Sequence, residues 1–211
     1  AIGGTGTTTR GRTRNGTVDW RAVNYAVHAA HRWPDAYSVS VVNEPDLSGI
    51  SVCGYYNTYR TAYRMLKRAG VKRVLFGEFS PASPLGWTAA VLDRCAKSDV
   101  IADGWTWHCY DSFASWFGIG NTRDARKYLS QNRGRIHTRK GNTLPLYCTE
   151  YGSLVRFNGG TTPEDVGADQ WRRALAITRK YDVKEIVAWG ITESPSGSVW
   201  DSSLVRCDGT L

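Results

Sequence analysis

Apolar residues recur along this chain in two alternating rhythms. Trp20, Val23, Val27 and Ala30 are spaced for one face of a helix. Asp19 is placed to cap that helix, and Pro34 lies just past its end. Residues 37–43 form a β-prone run that breaks at Glu44-Pro45-Asp46. Tyr55, Tyr59, Ala62, Tyr63, Leu66 and Ala69 give the next helical stripe, closed by Gly70. Residues 71–78 read as strand and 87–96 as helix. A further strand is centred on Trp105-Thr106-Trp107-His108, and Thr122 can cap a helix running to about residue 132. Residues 144–150 are strand again. Thr162-Pro163-Glu164-Asp165 starts the last helix, with a capping hydroxyl, proline at the first helical position and acids in the first turn. Its buried face is marked by Trp171, Ala174, Leu175 and Thr178, and residues 185–189 form a last strand before a loop-rich tail. The opening residues 1–16 are Gly, Thr and Arg with little apolar content. Their Gly3-Gly4-Thr5-Gly6 run lacks both the Gly-Lys-Ser/Thr ending and the directly following helix of a phosphate cradle.

Strands alternating with helices imply βαβ units and a parallel sheet, here in a single domain over residues 1–211. Acids, His, Tyr and Trp gather where the strands end. In a (β/α)8 barrel that is the active-site face. A doubly wound sheet also binds ligands there, but its Gly-rich turn after a first strand is missing.

Composition narrows the function. The chain has 211 residues, enough for one full core. It contains no apolar run near the length of a bilayer span, so no membrane partner is expected. No charged-then-apolar leader pattern opens the sequence, so any signal peptide is expected to be absent or already removed. Nine Trp and eleven Tyr are an aromatic excess that suits stacking on sugars, though rings also fill cores. The net charge of +8 is spread over helix-like segments such as Arg60, Arg64, Lys67 and Arg68, where a solvated face is the ordinary reading. No nucleic-acid-binding motif accompanies it, so nucleic acid is not the expected partner. Cys53, Cys95, Cys109, Cys148 and Cys207 are an odd set without Cys-x-x-Cys spacing, which signals neither zinc nor a redox motif. His28 and His31 lie on a helix without an acidic or Cys partner. No metal or cofactor is expected.

Two strand ends carry candidate chemistry: Val41-Val42-Asn43-Glu44-Pro45-Asp46 and Leu146-Tyr147-Cys148-Thr149-Glu150-Tyr151-Gly152. Two carboxylates facing each other across a cleft can act as general acid and nucleophile on a glycosidic bond. Alone, each is also an ordinary solvated strand-end acid. Together with His108-Cys109-Tyr110 between them and Trp189 after them, they resemble the retaining glycoside hydrolases of the (β/α)8-barrel superfamily. In that superfamily an Asn-Glu-Pro motif ends the fourth strand and a second Glu ends the seventh. The resemblance implies that Glu44 is the acid/base and Glu150 the nucleophile. It implies that Asn43 bonds the sugar 2-hydroxyl, that Trp189 is the platform under the ring, and that His108 binds sugar hydroxyls or orients an acid. The Tyr110 hydroxyl is expected to donate to Glu150 and lower its pKa. Glu78, at the end of its strand, is a candidate to line the cleft. Trp116, with Phe117, is a candidate for sugar stacking. His108 also reads as a core histidine, Trp189 as core filling and Glu78 as an exposed acid.

The resemblance begins late. A complete barrel takes about 250 residues, and here the first two strands, most of the third and the final helix have no counterpart. The expected architecture is therefore an incomplete (β/α)8 TIM barrel, from about the end of strand 3 to strand 8, truncated on its N-terminal side. A second chain or copy would supply the missing strands. The expected partner is a carbohydrate, a polysaccharide or oligosaccharide, and the expected location is secreted or extracellular. The alternative is an inactive glycosidase-like module that binds carbohydrate or serves structure. Alternation along regular strands also predicts that Cys148 points inward with Glu150 while Cys109 points outward, so that the two are not bridged.

Overall fold

The computed structural model describes residues 16–110, 120–152, 156–157, 160–161, 164–188 and 200–201. Helix α1 (Trp20–Arg32) starts where Asp19 accepts from the backbone N–H groups of Arg21 and Ala22, at 3.0 and 3.2 Å. The Asp19 N–H in turn donates to Thr58 Oγ1 at 2.8 Å. That bond fixes α1 against α2 (Val52–Arg68), whose own cap is Ser51. Strand β1 (Leu75–Phe79) and helix α3 (Pro84–Arg94) follow, the helix starting earlier than the periodicity suggests because Pro84 is preset for a first turn. Then come β2 (Val100–Ile101), β3 (Gly104–His108), α4 (Gly120–Gln131), β4 (Ile136–His137) and β5 (Leu146–Tyr151). The last described elements are β6 (Arg156–Phe157), β7 (Gly160–Thr161), α5 (Glu164–Tyr181), β8 (Val183–Ala188) and β9 (Trp200–Asp201).

The central sheet is parallel throughout, in the order β1-β3-β5-β8. The α/β alternation predicted this. Two further sheets were not visible in the sequence because their strands are two residues long: parallel β2-β4, and the antiparallel sheet β7-β6-β9 that ties the loop after β5 to the tail. Residues 37–43 depart from expectation. They run beside β1 but make a single parallel bridge, Val39 to Val74. With a strand neighbour on one side only among the described residues, the segment bends before its end instead of extending the ladder.

Register decides which side chains face inward. On β1 and β3, Phe76 pairs with Trp105 and Gly77 with Thr106, and then Phe79, not Glu78, pairs with Trp107. Glu78 is thus an extra residue in the ladder, with φ of 61°. On β3 and β5, Trp107 pairs with Cys148 and His108 with Glu150, so Thr149 is the extra residue. Each irregularity shifts the alternation by one. Phe79, Trp107 and Cys148 stay on the helix-covered side, while Glu78 and Glu150 turn to the side of His108.

The second shift overturns the expected separation of Cys109 and Cys148. Alternation along an unbroken strand would put Cys148 on the same side as Glu150. The extra residue at Thr149 releases it to the side of Trp107 and Cys109, and the two cysteines are disulfide-bonded with a Cα–Cα distance of 5.8 Å. A second bridge, Cys53–Cys95, joins the start of α2 to the end of α3. Cys207 lies outside the described residues.

Much of the aromatic excess is core. Trp105 and Trp107 are buried with ring centroids 5.0 Å apart, and Tyr55, Tyr59, Phe76 and Phe79 pack beneath α2 and α3. The Trp105 indole N–H finds Thr88 of α3 at 2.9 Å, so its polar edge is satisfied. Tyr55 sends its hydroxyl to Gly77, accepting from the N–H at 2.8 Å and donating to the carbonyl at 3.2 Å. Gly77 has φ of +124°, and a Cβ there would meet the Thr106 carbonyl oxygen at 2.0 Å. Only glycine fits. We therefore expect Gly77→Ala to cost about 3 kcal/mol or more, from backbone strain and overpacking combined. Urea denaturation checks this, and an unchanged midpoint would mean that β1 and β3 are not packed this closely.

Candidate functional site

Four side chains converge at the carboxyl ends of the parallel strands, around the His108 imidazole. His108 closes β3 and is fully buried. Its Nδ1 lies 2.9 Å from Glu44 Oε1. Its Nε2 lies 3.3 Å from Glu150 Oε2 and 3.5 Å from Glu78 Oε1, an ion-pair contact split between two acids that makes no hydrogen bond among the described residues. Tyr110 donates its hydroxyl to Glu150 Oε1 at 2.7 Å. Side-chain exposure is graded: Glu44 29%, Glu150 15%, Glu78 4%. Glu44 and Glu150 thus face the opening and Glu78 the interior.

The backbone that delivers these acids is strained. Glu44 and Glu78 both occupy the left-handed region, with φ of 41° and 61°. For residues other than glycine this costs about 1–3 kcal/mol each. Surrounding bonds hold them there. The Glu44 N–H donates to the Glu78 carbonyl at 2.9 Å, and the Glu44 carbonyl accepts from Leu47 and Ser48, each at 2.9 Å. Asp46 accepts from the Ser80 N–H at 3.0 Å and from its hydroxyl, which pins the Glu44 loop to the end of β1. Beneath the acids, Thr106 and Thr149 share a hydrogen bond at 2.6 Å.

Electrostatics follow from this crowding. Burial pulls the His108 pKa down, but the hydrogen bond to Glu44, the close Glu78 carboxylate and the charge of Glu150 outweigh it and push it up to about 10. His108 is an imidazolium at neutral pH. Burial raises the Glu150 pKa above the usual carboxylate range; His108 and the Tyr110 hydroxyl pull it back, while Glu44 and Glu78 add to the rise. Tyr110 acts in the expected direction, yet burial wins.

Of the residues singled out from sequence, Glu44, Glu78, His108, Tyr110 and Glu150 lie together, and Asn43 is half-buried beside Glu44. Trp116, Phe117 and Trp189 lie outside the described residues. Sequence reasoning left Glu78 as cleft lining or an exposed acid, whereas it is buried, with its carboxylate facing His108. It missed the brace formed by Asp46 and Ser80 and the shared Thr106–Thr149 bond. The signal for Glu78 was present, since a glycine inside a strand next to an acid marks a ladder irregularity.

No protein-family model matches the sequence, and no curated protein matches it significantly. Solved structures do match by fold. A family 39 glycoside hydrolase from Bacteroides cellulosilyticus superposes with a TM-score of 0.68 at 15% identity, over 93% of this chain and 44% of that one. A family 39 β-xylosidase from Caulobacter crescentus gives 0.54 at 19% identity, over 90% and 43%. A Ruminococcus gnavus β-glucuronidase gives 0.55 at 12% identity, over 90% and 32%. The chain shares the fold of glycoside hydrolases and spans less than half the length of these structures.

Two outcomes follow from the electrostatics. Tyr110→Phe removes a donor to the Glu150 carboxylate, so Glu150 should titrate at higher pH than in wild type. Its side-chain carboxyl carbon shift reports this, and an unmoved midpoint would show that the bond is not made. For His108 the folded pKa exceeds the unfolded value of 6.5. Its contribution to stability is therefore complete below about pH 6.5 and is lost as pH rises to about 10. Unfolding free energy measured across that window should fall, and His108→Gln should flatten the slope.

Proposed function

We propose that this chain is the acid-bearing part of a retaining glycoside hydrolase with a (β/α)8-barrel architecture, working by double displacement on a polysaccharide or oligosaccharide. The observation that carries the reading is the convergence of Glu44 and Glu150 on opposite nitrogens of one buried imidazole, at the carboxyl ends of parallel strands. Separate strand-end acids gathered in this way suit two-carboxylate glycosidic chemistry.

In the proposed reaction the Glu150 carboxylate attacks the anomeric carbon while Glu44 protonates the departing glycosidic oxygen. The C–O bond breaks and a glycosyl ester forms on Glu150. Glu44, now ionised, takes a proton from water, and the resulting hydroxide equivalent displaces the ester with net retention. The charged His108 and the Tyr110 hydroxyl favour the ionised form of Glu150 that attack requires. Asn43 is assigned to the sugar 2-hydroxyl, Trp189 to the platform under the ring and Trp116 to stacking farther along the substrate. No cofactor or metal enters this scheme.

The strands missing from the barrel would come from polypeptide outside this chain or from a second copy. Two disulfides support an oxidising, extracellular setting, in keeping with a secreted enzyme of polysaccharide degradation. The alternative, an inactive carbohydrate-binding module of the same fold, is separated by one experiment. Aryl β-xyloside and aryl β-glucuronide, the sugars named for two fold neighbours, are offered to wild type and to Glu150→Ala. We expect turnover by wild type, a loss of about a thousandfold or more in the variant, and partial rescue by azide with an inverted glycosyl azide as product. Binding without turnover by wild type would support the inactive module instead.

A further inference from the structure

Glu78 is the acid that double displacement leaves without a task. Its carboxylate is almost wholly enclosed, it faces Nε2 of His108, and its Oε2 has no hydrogen-bond partner among the described residues. The ladder irregularity that turns it inward also holds its backbone in the left-handed region. A strained, enclosed carboxylate aimed at an imidazole is an expensive feature unless something depends on it.

Resting on the glycosidase reading above, we infer that Glu78 is a positioning residue. Its carboxylate balances the His108 imidazolium, which bonds Glu44 through Nδ1 and presents Nε2 to Glu150, so that Glu44 keeps the proton it must deliver. A neutral imidazole has one N–H and can serve only one of the two acids. Carboxylates against both nitrogens suit the charged ring, and a buried charge needs a counter-charge. Glu150 cannot supply it throughout, because it becomes an uncharged ester in the intermediate. Glu44 alternates between acid and base. Glu78 takes part in neither covalent step and neither proton transfer, so it keeps its place beside Nε2 through the whole cycle. Without it, an imidazolium 2.9 Å from Glu44 would strip that acid of its proton.

Among the described residues, the titratable groups facing His108 are Glu44 from the loop after residues 37–43, Glu78 from β1 and Glu150 from β5. Tyr110 acts on Glu150. Asp46 and the buried Tyr55 lie near Glu78, Asp46 held by Ser80 and Tyr55 by Gly77. None of these others is a cation that replaces His108 or an acid that replaces Glu78.

The test is Glu78→Gln, which keeps shape and removes charge, with Glu78→Asp alongside. Taking away one negative charge makes every proton in the cluster easier to lose. Both limbs of the pH profile of kcat/KM should therefore move to lower pH by about one unit, with kcat reduced about ten- to hundredfold and KM little changed. Glu78→Asp should restore the limb positions in part. His108 proton resonances, followed by NMR, should titrate at lower pH in Glu78→Gln than in wild type. Unmoved limbs in an active variant overturn the inference while leaving the glycosidase reading intact. If wild type has no glycosidase activity the NMR titration still decides, and an unchanged His108 midpoint overturns the inference there.

Discussion

One buried ring in contact with three carboxylates is the constraint around which this end of the molecule is arranged. His108 contributes the positive charge that lets Glu44, Glu78 and Glu150 share a small volume. Like charges this close repel strongly in a partly desolvated site, and without the imidazolium the acids would protonate or separate. The raised pKa of His108 and the raised pKa of Glu150 are two sides of that crowding. The cluster holds a proton on the imidazole because it has more negative charge than burial tolerates.

The fold meets the cost of this arrangement through backbone geometry. Two one-residue shifts in the parallel ladder, at Glu78 and at Thr149, bring acids inward that regular alternation would send toward the helices. The left-handed conformations of Glu44 and Glu78 are held by the bond between them and by the Asp46–Ser80 brace. Below, Gly77 lets β1 approach β3 closely enough for the cluster to form, and Tyr55 locks that glycine from the helix side. Strain at the site is thus offset by packing a few ångströms beneath it.

The Cys109–Cys148 bridge belongs to the same device. It joins β3 and β5 on the helix-covered side, one residue from His108 and two from Glu150. A covalent tie there fixes how the imidazole and the carboxylate sit relative to each other. The ladder shift that turns Glu150 inward is also what makes the tie possible.

The sequence by itself determined the alternation of helices and parallel strands, because apolar spacing and caps such as Asp19 are local signals. It also marked Glu44, His108, Tyr110 and Glu150 as strand-end groups, because an acid or histidine at a strand mouth is legible as a position. Tertiary structure alone decided which way those groups face. A one-residue shift in register leaves composition and periodicity unchanged but reverses every side chain beyond it. For that reason Cys148 was expected on the wrong side. The short pairings β2-β4 and β7-β6-β9 were also hidden, since two-residue strands have no period to read. Charge on His108 is likewise a property of the assembled site, set by three acids drawn from distant parts of the chain.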